Sequence, residues 1–293
     1  MRSLVDTLNW ASNKKIALAH FNISGFEQLK AIVRIARKLN LPVLIGVSES
    51  ERKYLDTGFV KGWVDIINQK YGNKEKVSSF WIFLNADHTH SLDLAKEAAL
   101  NSFDEIVFDK SDESLSENIK ITKEAVREIK KIKADILVEG ELGYIGTSSE
   151  VWKNLPEGVS LDFLTKPEEA KEFVSKTGVE LLAPAVGNIH GMSSSGANPH
   201  LNIKLISEIK KATGVYLVLH GGSGISREDF LAAIDAGINI IHISTEIRFA
   251  WRKSLEENLI LMPYEVAPYK IMDNVVYKIE KIVEEKMRLF YKL

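Results

Sequence analysis

Short apolar runs alternate with amphipathic stretches along the whole chain. The runs fall at residues 16–19, 42–47, 80–84, 105–108, 135–138, 180–186, 215–219 and 238–243. Each has the length of a strand buried on both faces, and most are rich in Val, Ile, Leu and Phe. Between them lie helical patterns. Residues 25–39 put Phe26, Leu29, Ile32, Val33 and Ala36 on one face, and residues 117–133 do the same with Ile121, Ala125, Ile129 and Ile132. Strand–helix alternation predicts a parallel sheet with right-handed crossovers. Eight such units in roughly 250 residues fit a closed α/β barrel, the (β/α)8 or TIM barrel, better than an open sheet. The alternative is a doubly wound sheet, but no G-x-G-x-x-G follows the first run. No Pro- or Ser-rich linker divides the chain, so one domain is expected over residues 1–293. Residues 54–71 predict a helix or two. Residues 143–165 read as a long loop after strand five, placed to act as a lid. Two extra helices are expected after strand eight, at 246–261 and 272–293, the last closing the barrel or packing on a partner.

Composition narrows the classes. Lys+Arg number 38 against 40 Asp+Glu, a net charge of −2, which argues against a nucleic-acid partner held by bulk electrostatics. No run approaches the ~20 apolar residues of a membrane helix. The first residues lack the apolar core of a signal peptide, so a cytoplasmic protein is expected. There are no cysteines, which excludes disulfides, thiolate metal sites and cysteine nucleophiles. Any metal must be held by His, Asp or Glu.

Of the seven histidines, His20, His88, His90, His190, His220 and His242 lie in or just after the C-terminal end of a predicted strand; His200 does not. In a barrel those ends share one face, where catalytic sites are built. One such histidine is most simply a hydrogen-bonded, partly buried side chain. Six on one face point to a metal or acid–base site. His88, His190 and His220, after strands three, six and seven, are the best zinc-ligand candidates, three protein ligands with an open position being the catalytic pattern. Asp87 adjoins His88. Successive strand residues point apart, so Asp87 is free to serve as a proton-transfer group instead. The turn His220-Gly-Gly-Ser-Gly224 and the segment Ile243-Ser-Thr-Glu246 follow strands seven and eight, where barrels often bind phosphate. Metal and phosphate on one face suggest a sugar-phosphate enzyme.

At this point the chain resembles the class II, zinc-dependent ketose-bisphosphate aldolases. The matching pieces keep the family's order: Phe21-Asn22, Asp87-His88, Asp109-Lys-Ser111, Glu139-Gly-Glu-Leu-Gly143, Gly187-Asn-Ile-His-Gly191, His220-Gly-Gly-Ser-Gly224 and Thr245-Glu246. The resemblance implies zinc on His88, His190 and His220, with Glu141 as an alternative ligand. It implies Asp87 as the group that exchanges a proton with the C4 hydroxyl. It implies substrate contacts by Asn22, and a site for the phosphate of dihydroxyacetone phosphate at Gly191, Gly221, Ser223, Ser244 and Thr245, with a monovalent cation (Na+ or K+) in some members. Ser48 matches a serine near the other phosphate. The implied activity is reversible cleavage of fructose 1,6-bisphosphate, with tagatose 1,6-bisphosphate second, by a homodimer or homotetramer.

The chain departs from the family's pattern at several positions. His242 stands where the family carries an Asn that holds the enediolate, and His20 stands where a small residue is common. The mobile-loop motif reads Gly146-Thr-Ser-Ser-Glu150, so Ser149 occupies the aligned position and Glu150 is the nearest glutamate to act as loop acid. A C-terminal Asp-Pro-Arg appears as Ala267-Pro-Tyr-Lys270, which leaves Lys270 as a point charge for the distal phosphate. Two other readings stay open: a catalytically silent sugar-phosphate-binding relative, and another metal-dependent barrel enzyme such as a hydrolase or isomerase.

Overall fold

The computed structural model describes residues 3–73, 75–146, 150–154, 164–195 and 198–293. Strands β1 (Leu18–Asn22), β2 (Pro42–Val47), β3 (Trp81–Thr89), β4 (Glu105–Phe108), β5 (Leu137–Leu142), β7 (Leu181–Pro184), β9 (Tyr216–Leu219) and β10 (Ile238–Ile243) form a closed barrel, in the order β1-β10-β9-β7-β5-β4-β3-β2. Every pairing is parallel. Two short strands, β6 (Val151–Trp152) and β8 (Met192–Ser193), pair outside it. The helices are α1 (Leu4–Lys14), α2 (Phe26–Leu39), α3 (Glu49–Leu55), α4 (Thr57–Tyr71), α5 (Leu92–Leu100), α6 (Leu115–Ile132), α7 (Pro167–Thr177), α8 (Ile203–Thr213), α9 (Arg227–Ala236), α10 (Thr245–Leu261) and α11 (Pro268–Phe290). No described helix is long and apolar enough to cross a membrane.

The expected alternation is present, with three differences of detail. β1, β3 and β5 run further toward their C-terminal ends than the apolar pattern indicates. Asn22, Asn85, Asp87, Glu139 and Glu141 are strand residues and buried. Polar residues interrupt a hydrophobic pattern, but at the mouth of this barrel the interior is itself polar. The long loop after β5 contains β6, and α1 precedes the barrel although its sequence gave no strong periodic signal.

The helices cover the strands as their apolar spacing requires. In α2, Leu29, Ile32, Val33 and Ala36 are buried, while Phe26 at its first position is exposed. α11 buries Val276, Ile279, Val283, Met287 and Phe290, an i, i+3/i+4 stripe. It packs on α2 and α10. Arg34 and Lys38 of α2 pair with Glu280 and Glu284 of α11. The Tyr291 hydroxyl donates to the Pro42 carbonyl at 2.5 Å. Of the two roles expected for the last helix, closing the barrel is one it performs.

One glycine is required by packing rather than by a turn. A Cβ on Gly46 of β2 would lie 2.1 Å and 2.3 Å from atoms of the His20 ring on β1. Gly46→Ala is therefore expected to destabilise the protein by about 1–3 kcal/mol through overpacking. Adding His20→Ala to it should restore most of the loss. Urea unfolding midpoints check this, and a Gly46→Ala protein as stable as the parent would refute the contact.

Candidate functional site

Three imidazoles converge at the C-terminal mouth of the barrel. One ring nitrogen each from His88, His190 and His220 lies within 4.8 Å of the other two. Each ring is oriented from behind. His88 Nδ1 donates to Asp109 Oδ2 at 3.0 Å, His190 Nδ1 donates to the Gly146 carbonyl at 2.5 Å, and His220 Nε2 donates to Glu139 Oε1 at 2.7 Å. Those bonds fix the tautomers and leave His88 Nε2, His190 Nε2 and His220 Nδ1 facing inward, the outer-shell arrangement of metal-binding histidines. His88 Nε2 and His220 Nδ1 stand 3.1 Å apart, so in the metal-free protein a proton on His88 bridges them. Glu141 is buried below, its Oε2 3.5 Å from His88 Nδ1 and 4.0 Å from His220 Nδ1. Three imidazoles and a nearby carboxylate suit a divalent transition metal with an open position.

Asp87 and His88 both reach this centre although they are consecutive. The register of β3 on β4 shifts between Ala86 and Thr89, and His88 adopts φ of 35°. One extra residue bulges the strand and re-aims a side chain, so the alternation expected of neighbours on a strand does not hold here. His88 Nε2 lies 3.9 Å from Asp87 Oδ1. Asp87 Oδ2 accepts a 2.8 Å hydrogen bond from Asn22 Nδ2, and Asp87 Oδ1 faces His242 Nδ1 at 3.5 Å. His242 stacks on His20 with ring centroids 3.4 Å apart, because the two are register partners on β10 and β1.

Charge in this buried cluster is strongly redistributed. Burial disfavours a charged His88, but Asp87, Asp109 and Glu141 outweigh it and push its pKa up to about 10. Burial likewise opposes the Asp87 charge, yet His88 and His242 hold it well below the usual carboxylate range. His190 is pushed down to about 4 and His220 well below its ordinary value, by burial and by neighbouring histidines. Glu139 and Glu141 are pushed up, by burial and by nearby carboxylates.

A cavity of about 730 Å³ opens above these groups. Asn22, Ser48, Asp87, His88, His190, Gly191, His220, Gly221, Ser223, His242, Ser244 and Thr245 all line it. Gly191 and Gly221 have φ of 88° and 61°, and a Cβ on either would lie 2.5 Å from a backbone carbonyl oxygen. Ser244 caps α10 without a side-chain hydrogen bond to it, and its buried hydroxyl has no partner among the described residues.

Three expected residues are not on the cavity wall: Glu141, buried below the histidines, Lys270 and Glu150. Lys270 sits in the first turn of α11, exposed, and donates to Glu265 at 2.8 Å. The local acid holds it, and the expectation that it reaches a distal phosphate from this chain is not met. Glu150 is exposed just before β6, its carbonyl accepting from Met192 N at 2.9 Å beside Gly191. Ser149 lies outside the described residues.

Sequence reasoning missed several members of the site. Asp109 and Glu139 back two of the histidines. The signal was available, because Asp109 directly follows β4 and Glu139 lies in β5 two residues before Glu141, on the same side of the strand. Glu51 of α3 accepts from Asn22, Ser24 and Arg248, and Arg52 donates to the Val47 carbonyl and Thr89 hydroxyl. Nothing in their local pattern separates them from surface charges on a short helix.

A closed (β/α)8 barrel, with backed histidines, a depressed carboxylate and glycine turns on one face, defines a metal-dependent barrel enzyme of the sugar-phosphate type. The chain belongs to the class II fructose-bisphosphate aldolase family, whose model matches residues 2–292. These are lyases. The fructose-bisphosphate aldolase of Geobacillus stearothermophilus is 32% identical over 289 residues, covering 98% of this chain and 96% of that protein. YdjI of Escherichia coli K12 is 32% identical over 293 residues, covering 98% and 97%. The crystal structure of the YdjI aldolase superposes with a TM-score of 0.80 over 99% of this chain and 97% of that one, at 28% identity.

Metal uptake by the three histidines needs their lone pairs, and His88 is protonated below about pH 10. Zinc binding near pH 7 should therefore release about one proton, and apparent affinity should climb about tenfold per pH unit through neutrality. Calorimetry in buffers of different ionisation enthalpy measures this. Uptake without proton release would contradict a charged His88.

Proposed function

We propose that this enzyme cleaves a ketose phosphate reversibly between C3 and C4, releasing dihydroxyacetone phosphate and an aldehyde, with zinc on His88, His190 and His220. The observation that carries the reading is the juxtaposition of three backed imidazoles with a carboxylate held ionised beside them. The all-nitrogen donor set favours zinc. Bound there, the ion supplies a Lewis acid for the oxygens of the ketose. Glu141 is the reserve ligand.

Asp87 takes the C4 hydroxyl proton as the C3–C4 bond breaks and returns it in condensation. The Asn22 amide holds Oδ2, so Oδ1, which faces His242, keeps one direction. His242 presents Nδ1 to Asp87, which places its proton there. Its Nε2 then accepts from a substrate hydroxyl. Gly191, Gly221, Ser223, Ser244 and Thr245 hold the phosphate of dihydroxyacetone phosphate, with Na+ or K+ as a further ligand of these turns. Glu150, beside Gly191, is our choice to exchange the proton at the hydroxymethyl carbon. Fructose 1,6-bisphosphate and tagatose 1,6-bisphosphate are the substrates that the kinship suggests.

Metal-loaded protein should exchange a hydroxymethyl hydrogen of dihydroxyacetone phosphate with solvent and should release triose phosphate from a ketose phosphate. Chelation should abolish both. Asp87→Asn should lower turnover by about 10²–10⁴-fold with metal content unchanged. Absence of exchange from protein holding stoichiometric zinc would defeat the proposal.

We propose a homodimer or homotetramer as the working assembly. Ile260, Leu261, Tyr264 and Val266, at the α10–α11 connection, are each at least 75% exposed, an apolar cluster that favours association. Sedimentation should give a two- or fourfold multiple of 32.9 kDa. A monomer at micromolar concentration would contradict it.

A further inference from the structure

We infer that the aldehyde half of the substrate carries no phosphate: the enzyme takes a ketose 1-phosphate whose remainder is an uncharged, hydroxyl-bearing chain. This rests on the aldolase reading and concerns the other end of the same cavity.

The two ends of the cavity are built differently. At the turn after β9 the backbone is opened by Gly221 and Gly224; at the start of α10 the Ser244 side chain makes no cap and its buried hydroxyl has no partner among the described residues, although Glu246 N donates to Ser223 Oγ at 3.2 Å and Gly224 N to Glu246 at 2.9 Å. An anion is welcome there. The other end is built by α3, the start of α4 and the turn from β3 into α5. Each helix start at that end is already closed by the chain's own side chains. Glu51 accepts from Ser48 N at 2.8 Å, completing a capping box on α3. Asp56 accepts from Gly58 N and Phe59 N on α4, at 2.8 Å and 3.2 Å. Glu49 accepts from His90 N and Ser91 N ahead of α5, at 2.7 Å and 3.2 Å, and Ser91 caps that helix. The backbone donors that would hold a second phosphate are bonded to carboxylates.

The guanidinium groups lining the cavity are also committed. Arg52 is buried, with donors on the Val47 carbonyl at 2.7 Å and the Thr89 hydroxyl at 2.9 Å. Arg248 is paired with Glu51 at 2.6 Å. Lys53 lines this end as well, but it shares the wall with Glu49, Asp56 and Glu97. Lys270 points elsewhere. A phosphate dianion placed here would lie beside Glu49, Asp56 and Glu97, and among the described residues no uncommitted arginine offers it the bidentate grip that phosphate recognition uses. Hydroxyl groups suit the same wall, because carboxylates accept their protons, and Ser50 and Thr57 lie on it as well.

The test uses the metal-loaded, full-length enzyme and two probe ketoses, fructose 1-phosphate and fructose 1,6-bisphosphate. We expect kcat/KM for the monophosphate to be higher by about tenfold or more. In the condensation direction, dihydroxyacetone phosphate should join D-glyceraldehyde faster than D-glyceraldehyde 3-phosphate. Glu97→Lys should shift the ratio toward the bisphosphate by about fivefold. Equal or greater kcat/KM for the bisphosphate, or condensation confined to the phosphorylated aldehyde, would overturn the inference while leaving the aldolase reading intact. That reading fails separately, when dihydroxyacetone phosphate shows no metal-dependent hydrogen exchange.

Discussion

A carboxylate or an ammonium-type cation removed from water costs several kcal/mol unless an opposite charge or hydrogen bonds meet it. That cost governs the mouth of this barrel. Asp87, Asp109, Glu105, Glu139 and Glu141 are all buried there, among His20, His190, His220 and His242, with His88 half-buried. They cannot all be charged. Burial and mutual repulsion push Glu105 up to about 7 and hold Glu139 and Glu141 toward their protonated forms. Asp87 and Asp109 stay ionised because His88 lies against both. His88 is thus the local counter-charge in the metal-free protein. Replacing its proton by a divalent ion exchanges one positive charge for two in the same place. The electrostatics that would make this cluster costly when empty are those that favour a metal.

The scaffold must hold that cluster against repulsion and strain. A non-glycine residue in the left-handed region costs of order 1–3 kcal/mol, and His88 is one. Its position is over-determined by β3–β4 pairing on both sides of the bulge and by Asp109, which Ser111 holds in turn through its amide and hydroxyl at 2.9 Å and 2.8 Å. Phe83 and Phe108, fully buried in β3 and β4, anchor the strands beneath. Rigidity of the hydrophobic barrel is therefore what keeps three imidazole nitrogens within reach of one ion.

Much of this was legible before any coordinates. Eight apolar runs alternating with helical stripes point to the barrel, because a strand buried on both faces leaves a strong signal. The histidines were legible for a related reason: once the strands are placed, their C-terminal ends must share a face. Three things were not. Strand ends at β3 and β5 were cut short, since Asn85, Asp87, Glu139 and Glu141 look like loop residues to any hydrophobic criterion. The bulge at His88 has no local sequence signal, being set by how β3 and β4 must pair. Arg52 and Arg248 line the cavity from helices whose patterns describe only amphipathic surfaces, and Lys270, assigned by alignment of a motif, faces Glu265 instead. Periodicity reports burial well and the direction of a polar side chain poorly.

Two departures from the family's pattern, read separately in the sequence, become one feature in three dimensions. His242 replaces an Asn on β10, and His20 replaces a small residue on β1. They are register partners, and parallel strands place such residues on the same face, so the enlarged side chains necessarily meet. They meet as a flat stack, and His242 stacks again on His220 with centroids 4.1 Å apart. Space for the second ring comes from Gly46 on the neighbouring strand, which has no Cβ to oppose it. A lone His242 would have room to turn about its side-chain torsions. Clamped between His20 and His220, with Asp87 at one nitrogen, it has one orientation. Its position beside Asp87 is thereby fixed by packing between His20 and His220 from the neighbouring strands.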